Sequence, residues 1–216
     1  MPINLDKLWV FRIIHIDNLK HDLSHGLYCK SANKATEGYT SIGSKDVIGR
    51  RDTKIVKCYP DHFVNDYVPF YFSKRTPMLY NIITGHGIKT FPQRDIIYLC
   101  CKFKKLASDK FNWCYTNGNA AVAITKFFSN FDGIDNDIDW HSIETTDFRD
   151  ENADGDEDRI RKKHAEFLVR KHVPAKYIEK IIVLDNNTKI KVEKILREID
   201  SNIDILVNPG QKFYFR

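Results

Sequence analysis

The chain has 216 residues, of which 42% are hydrophobic and 12% aromatic, and its formal net charge is +5. This composition supports a sizeable core and excludes a disordered chain. Every apolar run is shorter than the roughly 20 residues of a membrane span. Charged residues also interrupt the N-terminal MPINLDKLWVFRIIHIDN, where a secretory signal would be apolar. We therefore expect a cytoplasmic protein that does not contact membrane.

The charge is unevenly distributed along the chain. Residues 132–158 contain twelve acidic residues and one basic residue, Arg149, which leaves 33 Lys and Arg against 17 Asp and Glu elsewhere. We call residues 132–158 the acidic segment. Basic surface beside a segregated acidic segment indicates a polyanionic partner. Ordinary solvated charge is the alternative.

The first half of the chain predicts a buried strand and a helix, then a long polar stretch. The strand covers residues 8–16, with Arg12 and His15 embedded in it. The helix follows, capped by Asp17 or Asn18 and ended by Gly26. Residues 31–65 form a long loop or a set of short elements. The remaining predicted elements are a strand at 66–72 broken by Pro69, a helix at 76–83 and a central strand at 95–103.

The second half predicts elements on both sides of the acidic segment. A helix is predicted over residues 119–131. The later elements are a strand at 164–169, a turn or short helix at 174–177, a strand at 180–184, a helix at 187–199 and a strand near 203–207. Because strands and helices are mixed without a repeat or linker, we interpret residues 1–216 as a single α+β domain.

The strand predicted at 164–169 contains an acidic residue, Glu166, between apolar neighbours. Alternation along a strand places Glu166 on the face opposite Ala165 and Phe167. Burying an unpaired carboxylate is costly. Glu166 is therefore paired, at a sheet edge, or functional, and the local pattern does not choose among these.

Metal-binding and nucleophile motifs are weak. The five cysteines form no CxxC pair, which favours free thiols in a reducing compartment. The acidic strings DNDIDW and DENADGDEDRIR lack the Gly and the final Glu, respectively, that a calcium loop needs. GHGIKT at 85–90 is interpreted as a turn. We predict no metal site, and the local pattern alone favours His15 as a core histidine.

Two basic pairs are candidate nucleic-acid contacts. Arg50 and Arg51 follow Ile48 and Gly49, and Lys74 and Arg75 follow the aromatic FYF. Arginine suits phosphates and stacking on bases. Solvated surface charge is the alternative for each pair.

Six stretches, taken in order, carry a resemblance to a known family. They are FRIIHIDNL with the following HGL (11–27), IGRR (48–51), DYVPFYFSKRTPMLY (66–80), TNGNAAVAITKFF (116–128), IDW (138–140) and RKKHAEFLVRKHVP (161–174). In this order they resemble the DarT toxins, which ADP-ribosylate DNA. The DYVPFYF…PMLY and AEFLV strings are the specific ones, and the resemblance covers nearly the whole chain.

The resemblance implies an ADP-ribosyltransferase-like fold, with two small, mostly antiparallel sheets packed across each other, flanking helices, and NAD in the cleft between them. It implies sequence-dependent transfer of ADP-ribose from NAD to a base of single-stranded DNA, as a toxin that blocks replication. Such transfer is a glycosyltransferase (pentosyl transfer) reaction, which we also group with nucleotidyltransferases. The IGRR and DYVPFYF strings favour thymidine over guanosine. The implied partner is a DarG-like macrodomain antitoxin, and the acidic segment is either a surface for that partner or a solvated loop.

The resemblance also assigns residues. Glu166 matches the catalytic glutamate, which would stabilise positive charge on the ribose as its bond to nicotinamide breaks. Arg51 would hold the target base and favour its deprotonated ring nitrogen. The residues expected to bind NAD are His15, Asn18, Gly26, Leu27, Tyr71, Met78 and Tyr80. The residues expected to contact DNA are Lys45, Arg50, Lys74, Arg75, Lys89 and Asn119.

Two other functions remain open at the level of the sequence. One is an NAD-dependent transferase that modifies RNA or protein. The other is a non-catalytic nucleic-acid-binding module, although a pure binder has no need of a buried carboxylate near a polyanion.

Overall fold

The computed structural model describes residues 2–34, 37–108 and 110–215. Within these ranges the chain forms twelve β-strands and eight α-helices. The strands are β1 (Trp9–His15), β2 (Leu27–Tyr28), β3 (Ile55–Val56), β4 (Tyr59–Phe63), β5 (Tyr67–Tyr71), β6 (Ile96–Lys102), β7 (Trp113–Thr116), β8 (Phe127–Phe128), β9 (Glu166–Arg170), β10 (His172–Val173), β11 (Lys180–Val183) and β12 (Asp204–Val207). The helices are α1 (Leu19–His25), α2 (Lys45–Thr53), α3 (Pro77–Thr84), α4 (Phe103–Leu106), α5 (Ile134–Asp137), α6 (Trp140–Glu144), α7 (Arg159–Lys163) and α8 (Asn186–Glu198).

Eight strands form one sheet in the order β12-β11-β6-β1-β5-β9-β7-β8. β11 and β12 are parallel, and the other neighbours are antiparallel. The sheet has two halves, because β1 and β5 pair only where Phe11 lies opposite Tyr71. We call β12-β11-β6-β1 the first half-sheet and β5-β9-β7-β8 the second. The predicted α+β class is confirmed, and the two small sheets are continuous through this one pair.

Strand β6 is the central strand of the first half-sheet. Its residues are buried from Ile96 to Cys101. Ile97, Leu99 and Cys101 belong to one hydrophobic cluster, while Ile96, Tyr98 and Cys100 belong to another. Because neighbouring strand residues point to opposite faces, β6 contributes to a core on each side of the sheet. The prediction of a central strand here is confirmed.

Pro69 lies inside β5 and does not break it, contrary to the sequence-based prediction. On one side Pro69 pairs with Leu168 of β9. On the other side the half-sheets have separated, and Arg12 Nη1 donates to the Pro69 carbonyl at 3.2 Å. A proline can therefore occupy this position, because its missing N–H would face a gap rather than a paired strand.

The segment at residues 31–65 is a set of short elements, one of the two readings of the sequence. It contains α2 and the antiparallel hairpin of β3 and β4. By contrast, the helix predicted over 119–131 is wrong. Phe128 pairs with Tyr115 of β7 and stacks on its ring at 5.0 Å between centroids. This pairing outweighs the helical spacing of the apolar residues.

The other predicted helices are α1, α3 and α8, and the predicted turn near residue 175 is a 3₁₀ helix, Ala175–Tyr177. Gly26 ends α1 with a φ of 83°, as predicted. Asn18 precedes α1 but does not cap it with its side chain. Its amide instead exchanges two 2.8 Å hydrogen bonds with the backbone of Thr40, which attaches the 31–65 segment to α1.

Candidate active site

A cavity of about 400 Å³ lies where the two half-sheets diverge. Its wall is formed by β1, α1, the 31–65 segment, β5, α3 and the start of β9. This volume is within the range of sites that enclose small molecules. The wall contains Glu166 and Arg51 at one place and Arg12, Asp22 and Tyr39 at another.

Glu166 is the first residue of β9 and is 1% exposed. Arg51 Nη1 donates to Oε1 at 3.1 Å and to Oε2 at 2.9 Å, and Arg51 Nη2 donates to Oε2 at 2.9 Å. A guanidinium bound to a carboxylate through two nitrogens is the strongest class of side-chain ion pair. The buried carboxylate is therefore paired.

Helix α2 brings Arg51 to this carboxylate. Ser44 caps the helix by accepting from the Val47 N–H at 3.4 Å. Asn65 donates to the Ile48 carbonyl at 2.9 Å, which ties α2 to the segment before β5. Arg51 is the buried residue of α2 and is 9% exposed, whereas its neighbour Arg50 is exposed. The sequence marked both arginines but did not predict the helix that separates their environments.

Two further groups hold Glu166 in place. The backbone N–H of Ala120 donates to Oε1 at 2.9 Å. The backbone N–H of Glu166 itself donates to Thr116 Oγ1 at 3.0 Å, and that hydroxyl donates to the Gly118 carbonyl at 2.7 Å. Arg51 thus binds both carboxylate oxygens and the Ala120 N–H binds Oε1, which together fix the position of the Glu166 carboxylate.

The ionisable groups around Glu166 respond to burial and to its charge. Burial alone would lower the pKa of Arg51, but the Glu166 carboxylate raises it above its usual value. Burial, followed by the negative charge of Glu166, raises the pKa of Tyr71. Burial also lowers the pKa of His164. At neutral pH these directions give a charged Arg51, a neutral Tyr71 and a neutral His164.

A second polar group lines the cavity, and the sequence did not identify it as functional. Asp22 is 2% exposed and accepts from Tyr39 Oη at 3.2 Å, and its Oδ1 lies 3.1 Å from His21 Nδ1. Arg12 lies beside them, and its buried Nε has no hydrogen-bond partner among the residues that the structure describes. An arginine in a buried strand was the available signal. Arg12 lines the cavity, and its guanidinium fits an anionic ligand such as a pyrophosphate.

Three of the seven residues expected to bind NAD line the cavity: Asn18, Tyr71 and Met78. Tyr71 lies opposite Glu166 in the sheet, and its hydroxyl donates to Met78 Sδ at 3.0 Å. His15 is buried, with its ring 5.0 Å from that of Phe91, and it is not among the lining residues.

Gly26, Leu27 and Tyr80 do not line the cavity either. A Cβ on Gly26 would lie 2.7 Å from the Val173 carbonyl, so this glycine permits a close approach to β10. The Leu27 side chain is in the core at 1% exposure, so only its backbone could contact a ligand. Tyr80 is 42% exposed and packs edge-on against Phe148 and Phe215, each with ring centroids 5.5 Å away.

Among the residues expected to contact DNA, only Asn119 lines the cavity. Lys45 and Arg50 are exposed on α2, the helix that carries Arg51. Lys74 is exposed before α3, whereas Arg75 is engaged, because its Nη2 donates to the Gln211 carbonyl at 2.9 Å. Lys89 lies over the Phe91 ring at 5.0 Å. Lys45 and Arg50 are therefore connected to the cavity through α2, whereas Lys74, Arg75 and Lys89 do not line it.

The described ranges contain no cluster of three or more His, Cys, Asp or Glu side chains that could hold a metal ion. All five cysteines are free thiols. Across the part of the chain that the structure describes, no helix combines the length and apolarity needed to cross a bilayer. Acidic residues of the acidic segment form ion pairs with α7, as with Asp156 and Lys162 at 2.8 Å.

Comparison with known proteins identifies relatives of this chain. Residues 11–215 match the family model described as "ssDNA thymidine ADP-ribosyltransferase, DarT". A DNA ADP-ribosyl transferase of Escherichia coli O127:H6 is 29% identical over 214 residues, covering 99% of this chain and 96% of the relative. A Thermosipho africanus protein that fuses such a transferase to a DNA ADP-ribosyl glycohydrolase is 26% identical, covering 95% of this chain and 49% of the fusion.

Solved structures agree with these matches. Thermus sp. 2.9 DarT in complex with ADP-ribosylated ssDNA superposes with a TM-score of 0.85 at 26% identity, covering 96% of each chain. The same protein in complex with NAD⁺ gives a TM-score of 0.81 at 26% identity, covering 96% of this chain and 98% of the other. The whole fold described above, including both half-sheets, is therefore shared with these proteins.

Proposed function

Because this chain belongs to the DarT family of single-stranded-DNA thymidine ADP-ribosyltransferases, we propose that it transfers ADP-ribose from NAD to thymidine in single-stranded DNA. The observation that carries the proposal is the buried Glu166 carboxylate at the wall of the cavity, held by Arg51 and by the Ala120 N–H. The reaction is a pentosyl transfer, so glycosyltransferase describes it and nucleotidyltransferase is imprecise.

Glu166 is proposed as the catalytic residue. Breaking the bond between ribose and nicotinamide develops positive charge on the sugar, as in glycoside cleavage. A fixed carboxylate beside that ribose stabilises the developing charge. The leaving group is a cationic pyridinium that departs neutral, so no acid is needed to protonate it. One carboxylate can therefore perform this step, and the cavity wall supplies Glu166 for it.

Arg51 is proposed to act on the acceptor base. A guanidinium near the thymine ring favours the deprotonated ring nitrogen, which is the nucleophile that attacks the ribose. The pairing-edge nitrogen is hidden in a duplex, so the substrate is single-stranded. The ion pair of Arg51 with Glu166 supports this proposal, because it holds the guanidinium beside the carboxylate proposed to act on the ribose.

NAD is the proposed co-substrate, and the cavity residues fit it. The guanidinium of Arg12 is suited to the pyrophosphate, and Asn18, Tyr71 and Met78 line the same cavity. His15, Gly26, Leu27 and Tyr80 remain predictions for the same ligand. We propose that the DNA backbone is contacted by Lys45, Arg50, Lys74, Arg75 and Lys89, and the target nucleotide by Asn119.

We further propose that residues 1–216 form a single ADP-ribosyltransferase domain, since β12 near one end of the chain lies in the same sheet as β1 near the other. The activity would block replication, and a DarG-like macrodomain antitoxin would reverse it. The Thermosipho fusion of a transferase with a glycohydrolase supports such a pairing.

The experiment uses purified protein and labelled NAD with three acceptors: a single-stranded DNA pool, the same pool with every thymidine replaced by cytidine, and RNA of matching sequence. We expect label on the first pool only, and mass spectrometry of the digested nucleosides should give ADP-ribosylated thymidine. Equal labelling of the thymidine-free pool would move the acceptor to another base. Labelling of RNA alone would reject DNA as the substrate.

A further inference from the structure

We propose that Arg161 is a positioning residue for this reaction: paired with Asp158, it fixes the turn at residues 117–125 that presents the Ala120 N–H to Glu166 and the Asn119 side chain to the cavity. The proposal rests on the proposed function. It also assigns a task to the end of the acidic segment, which supplies Asp158.

Arg161 contacts the turn through its backbone and its side chain. The Asn119 N–H donates to the Arg161 carbonyl at 3.0 Å. From the side chain, Arg161 Nη1 lies 3.3 Å from the Asn117 carbonyl, 3.3 Å from Asn117 Oδ1 and 3.4 Å from Thr125 Oγ1. One residue of α7 therefore reaches both ends of the turn.

Gly118 shows how closely Arg161 is packed on the turn. A Cβ at position 118 would lie 2.9 Å from the Arg161 carbonyl oxygen and 3.0 Å from its Cγ. Contacts this short do not occur for real Cβ atoms, so any other residue would displace Arg161 or the turn. The backbone conformation of Gly118 is not the reason for glycine here, since its φ is not positive.

The turn at residues 117–125 carries two groups of the proposed site, the Ala120 N–H and the Asn119 side chain. Ala120 is fully buried and donates its N–H to Glu166 Oε1 at 2.9 Å. The Asn119 carbonyl accepts from Thr125 Oγ1 at 2.7 Å, which closes the turn on itself. A backbone donor aimed at a carboxylate orients it as well as stabilising it. A shift of the turn would therefore move both the catalytic carboxylate and the Asn119 contact.

Asp158 orients the guanidinium for this task. Arg161 Nε donates to Asp158 Oδ1 at 2.7 Å and to Oδ2 at 3.0 Å, and Nη2 also donates to Oδ2. The ion pair uses one edge of the guanidinium and leaves Nη1 for the turn. Because the guanidinium is planar and rigid, fixing one edge fixes the direction of the other.

The test compares three variants with wild type: Arg161→Gln, Arg161→Lys and Gly118→Ala. Arg149→Gln is the matched control, because it removes an exposed arginine that is paired with an aspartate, Asp147, of the same acidic segment. Initial rates of transfer to thymidine-containing DNA give kcat, and calorimetry gives the Kd for NAD. Hydrogen exchange of the Ala120 amide is measured by NMR without NAD or DNA.

We expect Arg161→Gln to lower kcat by about 100-fold, as misplacement of reacting groups does, with the Kd for NAD changed by less than about twofold. Lysine keeps the charge but cannot bond Asp158 and the turn together, so Arg161→Lys should be intermediate. Gly118→Ala should lower kcat in the same way while retaining every charge. The Ala120 amide should exchange faster in all three variants, and Arg149→Gln should behave as wild type.

Wild-type kcat in Arg161→Gln and Gly118→Ala would overturn the proposal, and so would a loss confined to NAD affinity or an unchanged Ala120 exchange rate. If the glutamine variant does not fold, Gly118→Ala and Arg161→Lys decide the matter by the same readouts. Failure of the proposed function is distinguishable, because it would appear as absent transfer in the wild type, while Ala120 exchange would still report on the role of Arg161.

Discussion

Glu166 shows at the scale of one residue why a charged side chain occupies a buried strand. Its carboxylate accepts from Arg51 and from the Ala120 N–H, which replace the water lost on burial. The family resemblance assigned roles to Glu166 and Arg51, but the sequence did not predict that they contact each other 115 positions apart in the chain. Arg12 and Asp22 were not predicted as cavity residues, because nothing local distinguishes a buried charge that faces a cavity from one that is merely satisfied.

The Arg51–Glu166 pair should contribute measurably to stability. Arg51→Ala leaves a buried carboxylate without its cation, and we expect the free energy of unfolding to fall by about 3–5 kcal/mol. In a Glu166→Gln background Arg51→Ala breaks no ion pair. We therefore expect the free energy of unfolding to fall by about 1–3 kcal/mol less than it does when Glu166 is present. Urea unfolding of the four proteins measures the coupling. The exposed neighbour provides the control, because Arg50→Ala should change stability by less than about 0.5 kcal/mol. An equal loss of unfolding free energy on Arg51→Ala in both backgrounds would contradict a stabilising Arg51–Glu166 pair.

Secondary structure elements could be predicted where their own apolar residues recur with the period of a strand or a helix. Strands β1, β6 and β11 and helices α1, α3 and α8 are of this kind. The turn at 117–125 is not, because the N–H groups of Asn119 and Ala120 bond to Arg161 and Glu166, which are distant in sequence. Helix α2 was not predicted, because most of its residues are polar and its single buried residue is an arginine. At the site, α2 and the turn are therefore decided by tertiary contacts, whereas β1, α1 and α3 could be predicted locally.

Strand β6 gives a pH-dependent prediction. Burial raises the pKa of the Cys101 thiol well above its usual value. In the unfolded chain the thiol ionises with a pKa of about 8.5, well before the buried thiol of the folded protein does. The contribution of the neutral Cys101 thiol to stability is therefore fully present below about pH 8.5 and is lost as the pH rises above that value. The difference in unfolding free energy between wild type and Cys101→Ala should therefore shrink by about 1 kcal/mol from about pH 8 to about pH 9.5. Urea unfolding at both pH values tests this, and a difference independent of pH would contradict it.

Charge is organised at the scale of the whole molecule. The acidic segment is paired with α7 through Asp154 and Arg159, Asp156 and Lys162, and Asp158 and Arg161. Part of its negative charge is thus balanced locally, and a basic surplus elsewhere remains available to a polyanion. The count of charges predicted such a partner. The internal pairing could not be read from the sequence, because it depends on how the segment folds back on the helix that follows it.

The salt dependence of DNA binding should identify a phosphate contact on α2. If exposed Arg50 neutralises one phosphate, Arg50→Gln should reduce the slope of log K against log salt by about 0.7 for single-stranded DNA. Fluorescence anisotropy with a labelled oligonucleotide, in a Glu166→Gln background to prevent turnover, measures the slope. Lys191→Gln, which removes an exposed charge from α8, should leave the slope unchanged. An unchanged slope in the Arg50 variant would remove this residue from the DNA site.

The measurement that tests the central claim most directly is the rate of ADP-ribose transfer from NAD to single-stranded DNA by wild type and by Glu166→Gln. Glu198→Gln, an exposed glutamate paired with Lys20, serves as the control. We expect the Glu166 variant to be slower by about 100- to 1000-fold or more, with NAD still bound and the control at the wild-type rate. A Glu166 variant that transfers at the wild-type rate would contradict the account, because the buried carboxylate would then be structural.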